Sequence, residues 1–114
     1  MTVQDLATKF QTLIMPNGNE TITNAYTGDL LSDVMGNAPS DSVLVTIQAH
    51  RNTIAVATLA GIKAVLVCNN RSVPADMKSA AEEEGISIFT TNENQFFASC
   101  QVALLLGKMD APVR

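Results

Sequence analysis

Charged side chains are scarce in this 114-residue chain. Lys, Arg, Asp and Glu supply 16% of it, against about 25% in an ordinary soluble domain. Apolar surface is therefore expected to remain after a core has formed, with self-association as its outlet. Basic residues are the scarcer sign, seven against eleven acidic ones, which gives a net charge of -4 and a pI of about 4.7. There is no basic stripe, no Trp and a single Tyr, so a nucleic-acid backbone or an anionic membrane is excluded as partner. No apolar run approaches the ~20 residues of a membrane span. Residues 1–10 carry Asp5 and Lys9 within an amphipathic pattern, which is not the pattern of a secretory signal. The two cysteines, Cys68 and Cys100, lie in apolar surroundings and are expected as reduced thiols in the cytoplasm, without a disulfide. No G-x-x-x-x-G-K-[ST] loop is present, which removes the commonest phosphate cradle. No motif specifies a cofactor.

What the sequence does contain is a strand-then-helix rhythm. At 46% hydrophobic residues the chain can bury the core of one domain, and one domain over 1–114 is expected, with its core at about 2–107 and a C-terminal tail at 108–114. Val43, Leu44, Val45, Thr46 and Ile47 form an unbroken β-branched run, the signature of a strand buried on both faces. A polar stretch from Gln48 to Asn52 follows it, and Ile54, Val56 and Leu59 then lead to Gly61. This strand–loop–helix unit recurs at 63–85 and 86–107, with a spacing of about 22 residues and a glycine closing each helix. Parallel strands joined by right-handed crossovers satisfy that rhythm.

The segments ahead of it are less regular. Thr2 and Asp5 suggest a capping box, with Val3, Leu6, Ala7 and Phe10 on one face of a first helix of about two and a half turns. Leu13 and Ile14 read as a short strand, and Ile22, Asn24 and Tyr26 alternate with Thr21, Thr23 and Ala25 as a second one. These two are expected to form an antiparallel pair. Leu30, Leu31, Val34 and Met35 place a short helix before Gly36, read as its C-terminal cap. Lys78 and Glu82 are spaced for an ion pair on the charged third helix. The fold class that results is α/β, a three-layer domain with a central, mostly parallel sheet and helices on both faces.

Ligands of open α/β sheets bind at the carboxyl ends of the strands. The candidate ligand-binding residues are therefore Gly28, Asp29, Gln48, His50, Arg51, Asn52, Asn69, Arg71 and Thr91. Helix N-termini and two arginines at that edge suit a phosphate or a carboxylate, while Thr53, Asn92 and Asn94 read equally well as ordinary caps. His50, the single histidine, is either a hydrogen-bonded structural group or a base. A metal would need three or four ligands, and only Asp29 and Cys68 could join His50, without ligand-pair spacing. No metal site and no catalytic residue is expected. Cys68 ends an apolar strand with no thiolate-stabilising neighbour except the arginines.

Two helices lack charge entirely, 53–60 and 94–106. A helix lying on a sheet needs one apolar stripe, and the surplus on the last helix predicts a homodimer with Phe97 and Leu105 near its centre. The alternative is that residues 1–10 cover that face within one chain.

The stretch Tyr26-Thr27-Gly28-Asp29-Leu30-Leu31-Ser32-Asp33-Val34-Met35-Gly36, followed by Val45-Thr46-Ile47-Gln48-Ala49-His50-Arg51-Asn52 and Ala60-Gly61-Ile62, resembles the DRTGG domain family. The resemblance covers nearly the whole chain and is to free-standing members, relatives of the N-terminal domain of HPr kinase that occur near iron-only hydrogenase genes. The Asp-Arg-Thr-Gly-Gly motif itself is absent. The resemblance implies a fold similar to the HPr kinase N-terminal domain. It also implies a non-catalytic regulatory or ligand-sensing module, since related domains accompany nucleotide-sensing CBS modules in pyrophosphatases and a phosphate acetyltransferase. Kinase activity is not implied, because the phosphate-binding loop of HPr kinase belongs to a separate domain. The expected ligand is a nucleotide or another small anionic metabolite. The competing expectation is a homodimeric interaction module serving a hydrogenase, a redox enzyme or a signalling kinase.

Overall fold

The computed structural model describes residues 1–109; the part of the expected tail from residue 110 onward lies outside the described residues. Five strands form one sheet in the order β1-β5-β4-β3-β2. They are β1 (Gln11–Ile14), β2 (Asn24–Thr27), β3 (Ser42–Thr46), β4 (Ala64–Val67) and β5 (Ser87–Thr90). β2, β3, β4 and β5 run parallel, and β1 alone is antiparallel, along β5. The helices are α1 (Leu31–Asn37), α2 (Arg51–Ala60), α3 (Ala75–Glu84) and α4 (Gln95–Leu105), preceded by a 3₁₀ helix at Val3–Thr8.

The β-branched runs give the middle of this sheet. Every residue of β3 and β4 is buried, which only a strand covered on both faces can achieve. One face carries Leu44, Val65, Val67 and Ile88 against Val34 of α1, Ile54 and Ala57 of α2, and Met77 and Ala81 of α3. The other carries Val43, Val45, Leu66 and Phe89 against Ala98 and Val102 of α4 and Val3, Leu6 and Phe10 of the N-terminal segment. The three-layer α/β architecture is thus present, with helices on both faces. Gly61 and Gly85 close α2 and α3 in the left-handed region, at φ 75° and 69°, and Gly107 does the same after α4.

The first strand pair departs from expectation. β1 and β2 lie at opposite edges of the sheet and do not touch; β2 instead runs parallel to β3, with Tyr26 opposite Leu44. The connecting turn is held under the sheet by Asn17. Its Nδ2 donates to Lys63 O at 3.0 Å, and its Oδ1 accepts from Ser87 Oγ. A turn pinned beneath β4 and β5 carries the chain from one edge to the other, so no hairpin can form.

Three smaller differences follow, the first with its cause in tertiary tethers. The first helix is 3₁₀ and six residues long, although its Thr2–Asp5 capping box is made. Its leading N–H groups are taken by Glu20 O and Gly18 O, and β1 begins at Gln11, which leaves no room for a longer α-helix. Gly36 lies inside α1, whose cap is Ala38 in extended geometry. Among the described residues the ion pairs are those of Lys63 with Glu20 at 3.8 Å and Asp41 at 3.9 Å; Lys78 and Glu82 do not join. No helix among the described residues is long and apolar enough to cross a membrane.

Candidate functional site

The parallel strands bring four junctions to one edge, and Asp29 organises two of them. It follows β2 by two residues. Its Oδ1 accepts from Thr46 Oγ1 at 2.9 Å, Ile47 N at 2.9 Å and Gln95 Nε2 at 3.0 Å. Its backbone carbonyl accepts from Gln48 Nε2 at 2.9 Å. Thr46 Oγ1 passes the chain of bonds to Gln48 N, and Gln48 O accepts from Thr53 Oγ1 at 2.8 Å. One half-buried carboxylate oxygen, placed just after β2, therefore holds the end of β3 and the first residue of α4. Gly28 donates its N–H to Val45 O at 3.1 Å; its Cβ position is open at ordinary contact distance, so glycine is not sterically required there.

His50 is the N-cap of α2. Its Nδ1 accepts from Asn52 N at 3.0 Å, which leaves Nε2 as the outward nitrogen of an exposed ring. The ring thus has a structural role as a cap. It also corrects Thr53, which sits inside the first turn, fully buried, rather than capping it. Asn94 is the cap of α4, its Oδ1 accepting from Phe97 N at 3.1 Å. Arg51 and Asn52 are exposed and border a groove of about 300 Å³ between α2 and α3, with Leu59 and Glu83 on its other walls.

The second pair of junctions is built on backbone. Asn69 and Asn70 stand in the left-handed region at φ 61° and 55°, where asparagine is among the few residues that sit at modest cost. That geometry aims Asn69 N at Glu93 O, 2.9 Å, and Asn70 N at Thr91 O, 3.0 Å. Thr91 Oγ1 accepts from Glu93 N, and both Glu93 carboxylate oxygens accept from Gln101 Nε2, at 2.8 and 3.0 Å. Arg71 is exposed beyond this loop. Burial pushes the Cys68 thiol up to about 11, with Asp29 and Glu93 adding to it. A thiol so placed is a poor nucleophile at neutral pH. No group of three or more His, Cys, Asp or Glu positioned for a metal exists among the described residues.

Asp29 and Gln48 belong to one network and Asn69 and Thr91 to the other, the two meeting at α4 through Gln95 and Gln101, whereas His50, Arg51, Asn52 and Arg71 lie outside both. Those two glutamines, Thr46 and Glu93 were not singled out from sequence. For the two glutamines the available signal was a pair of long amide side chains on an uncharged, largely apolar helix. The anion expectation also changes in detail: the N-termini of α2 and α4 are capped by His50 and Asn94, while those of α1 and α3 have no side-chain cap.

No protein-family model matches the chain, and no curated protein matches it in sequence. Among solved structures it is similar to the crystal structure of the CBS and DRTGG domains of the regulatory region of Clostridium perfringens pyrophosphatase, complexed with the activator diadenosine tetraphosphate. The TM-score is 0.65 at 10% identity, over 86% of this chain and 43% of that one. The likeness is one of fold. This chain spans less than half the length of that regulatory region.

Proposed function

We propose that this chain is a non-catalytic regulatory module of the DRTGG kind that senses an anionic metabolite, with an adenine nucleotide as first candidate, at its strand-end loops. The observation that carries the reading is the similarity in fold to a regulatory region crystallised with a nucleotide activator. The site's construction supports it. Gly28, Asp29, Gln48, His50, Arg51, Asn52, Asn69, Arg71 and Thr91 gather at the carboxyl ends of β2 to β5, where such sheets bind ligands. The Asp29 network fixes the β2 and β3 loops in advance, so a ligand need not order them. The exposed Arg51 and Arg71 supply positive charge. The same geometry disfavours covalent catalysis, since the Cys68 thiol is held protonated and the ring nitrogen of His50 nearest the chain is committed to a cap.

A thermal-shift series with AMP, ATP and diadenosine tetraphosphate tests the proposal. A binding nucleotide at about a hundredfold over its dissociation constant stabilises the fold by about 2.7 kcal/mol. Arg51→Ala is expected to reduce that shift. If no nucleotide moves the melting temperature at millimolar concentration, nucleotide sensing is wrong. Purified protein is also expected to turn over no ATP.

A further inference from the structure

The outer face of α4 has no cover among the described residues. The inner positions Ala98 and Val102 are buried against the sheet, and the N-terminal segment packs beside them through Val3 and Leu6. Leu105 belongs with this inner set, half-buried against the same cluster, so it cannot stand at the centre of an outer interface. The outward positions are Phe96, 68% exposed, Phe97, 56%, and Leu104, 36%. The two rings meet edge to face with centroids 5.1 Å apart. Together with Cys100 and Met109 they wall an open groove of about 640 Å³. Such a contiguous apolar patch rimmed by polar groups marks an interaction surface.

Charge decides the occupant. The opposite layer carries Asp33, Asp76, Glu82, Glu83 and Glu84 against only Arg51 and Lys78, so two copies meeting there would repel. The α4 layer is balanced. Asp5 and Lys9 flank it on the 3₁₀ segment, and α4 itself is bracketed by Glu93 before its first turn and Lys108 after its last, with no charge between them. Neither Glu93 nor Lys108 has an ion-pair partner among the described residues. Two α4 helices packed antiparallel about a two-fold axis bring Glu93 of each copy toward Lys108 of the other and oppose their dipoles. A parallel arrangement would set Glu93 against its own copy.

We infer that the outer face of α4 binds a second copy of this chain, as an antiparallel two-fold helix pair centred on Phe96, Phe97 and Leu104 with Glu93–Lys108 contacts at both ends. This goes beyond the ligand reading and does not depend on it. Light scattering on the whole chain at micromolar concentration tests it. Wild-type protein is expected at twice the 12.1 kDa chain mass, and Leu104→Glu and Phe96→Glu at the chain mass with unchanged circular dichroism. Leu59→Glu, at a position 74% exposed on the opposite layer, is expected to stay dimeric. Lys108→Glu should raise the dissociation constant roughly tenfold or more, and adding Glu93→Lys should restore it. A monomeric wild type overturns the inference, as does a dimer that survives both α4 substitutions or yields to Leu59→Glu. Failure of the double charge reversal to restore dimerisation overturns the antiparallel arrangement.

Discussion

Gln95 Nε2 donates to Asp29 Oδ1 at 3.0 Å across 66 positions of sequence. The bond links the loop after β2 to the first turn of α4, and thereby ties the candidate ligand edge to the helix with the exposed aromatic pair. Removing one partner of a half-buried, charge-assisted network costs more than the bond itself contributes, because the remaining donors lose their acceptor. Asp29→Ala is expected to lower unfolding free energy by about 2–3 kcal/mol and Gln95→Ala by about 1 kcal/mol. Urea denaturation of the two single variants and the double variant should show a coupling of at least about 0.5 kcal/mol. Strict additivity would mean that the contact does not hold the two elements together.

Cys68 gives a pH signature. Its thiol rises from 9.0 to about 11 in the folded chain, so the unfolded chain releases this proton first as pH increases. The associated stability is complete below about pH 9 and is lost progressively toward pH 11, by up to about 2–3 kcal/mol. Cys68→Ala should flatten that part of the stability curve while leaving the neutral-pH slope unchanged. Iodoacetamide at neutral pH should label the half-buried Cys100 well before Cys68. Equal labelling rates in native protein would contradict the buried, protonated state.

Two glycines should respond in opposite directions. Gly61 sits at φ 75°, and a Cβ there would meet Ser40 Cβ at 3.0 Å; Gly61→Ala is expected to destabilise by about 1–2 kcal/mol. Gly36 has helical neighbours and open space around its Cβ position. Gly36→Ala is expected to stabilise by about 0.5–1 kcal/mol. Melting temperatures of the two variants decide the matter, and a loss at Gly36 would mean that α1 needs the glycine for something other than backbone conformation.

The parts of the fold legible in the sequence were those with local causes. Val43 to Ile47 reads as a doubly buried strand because its apolar run is unbroken, and Gly61 and Gly85 mark helix ends because only their backbone takes φ > 0 cheaply. The pairing of β1 was not legible, because it depends on Asn17 reaching Lys63 and Ser87, contacts 46 and 70 positions away. The same holds at the candidate edge. That the loops after β2 to β5 gather there followed from the strand–helix rhythm, whereas the hub role of Asp29 depends on Thr46 and Gln95 arriving from different elements. His50 as a cap was missed since Thr53 offered the commoner capping residue three positions later. On α4, periodicity distinguished an apolar helix but not which of Leu104 and Leu105 faces outward; that depends on the rotation of the helix over Phe89.

Ligand sensing at the strand ends is the central claim, and amide chemical shifts test it most directly. Isotope-labelled protein titrated with diadenosine tetraphosphate and with ATP should show saturable shifts concentrated at Gly28 to Leu30, Ile47 to Asn52, Asn69 to Arg71 and Thr91 to Gln95. Shifts confined to the α2–α3 groove away from Arg51, or to the opposite edge around Asn17 and Lys63, or no shifts with either nucleotide at millimolar concentration, would contradict it.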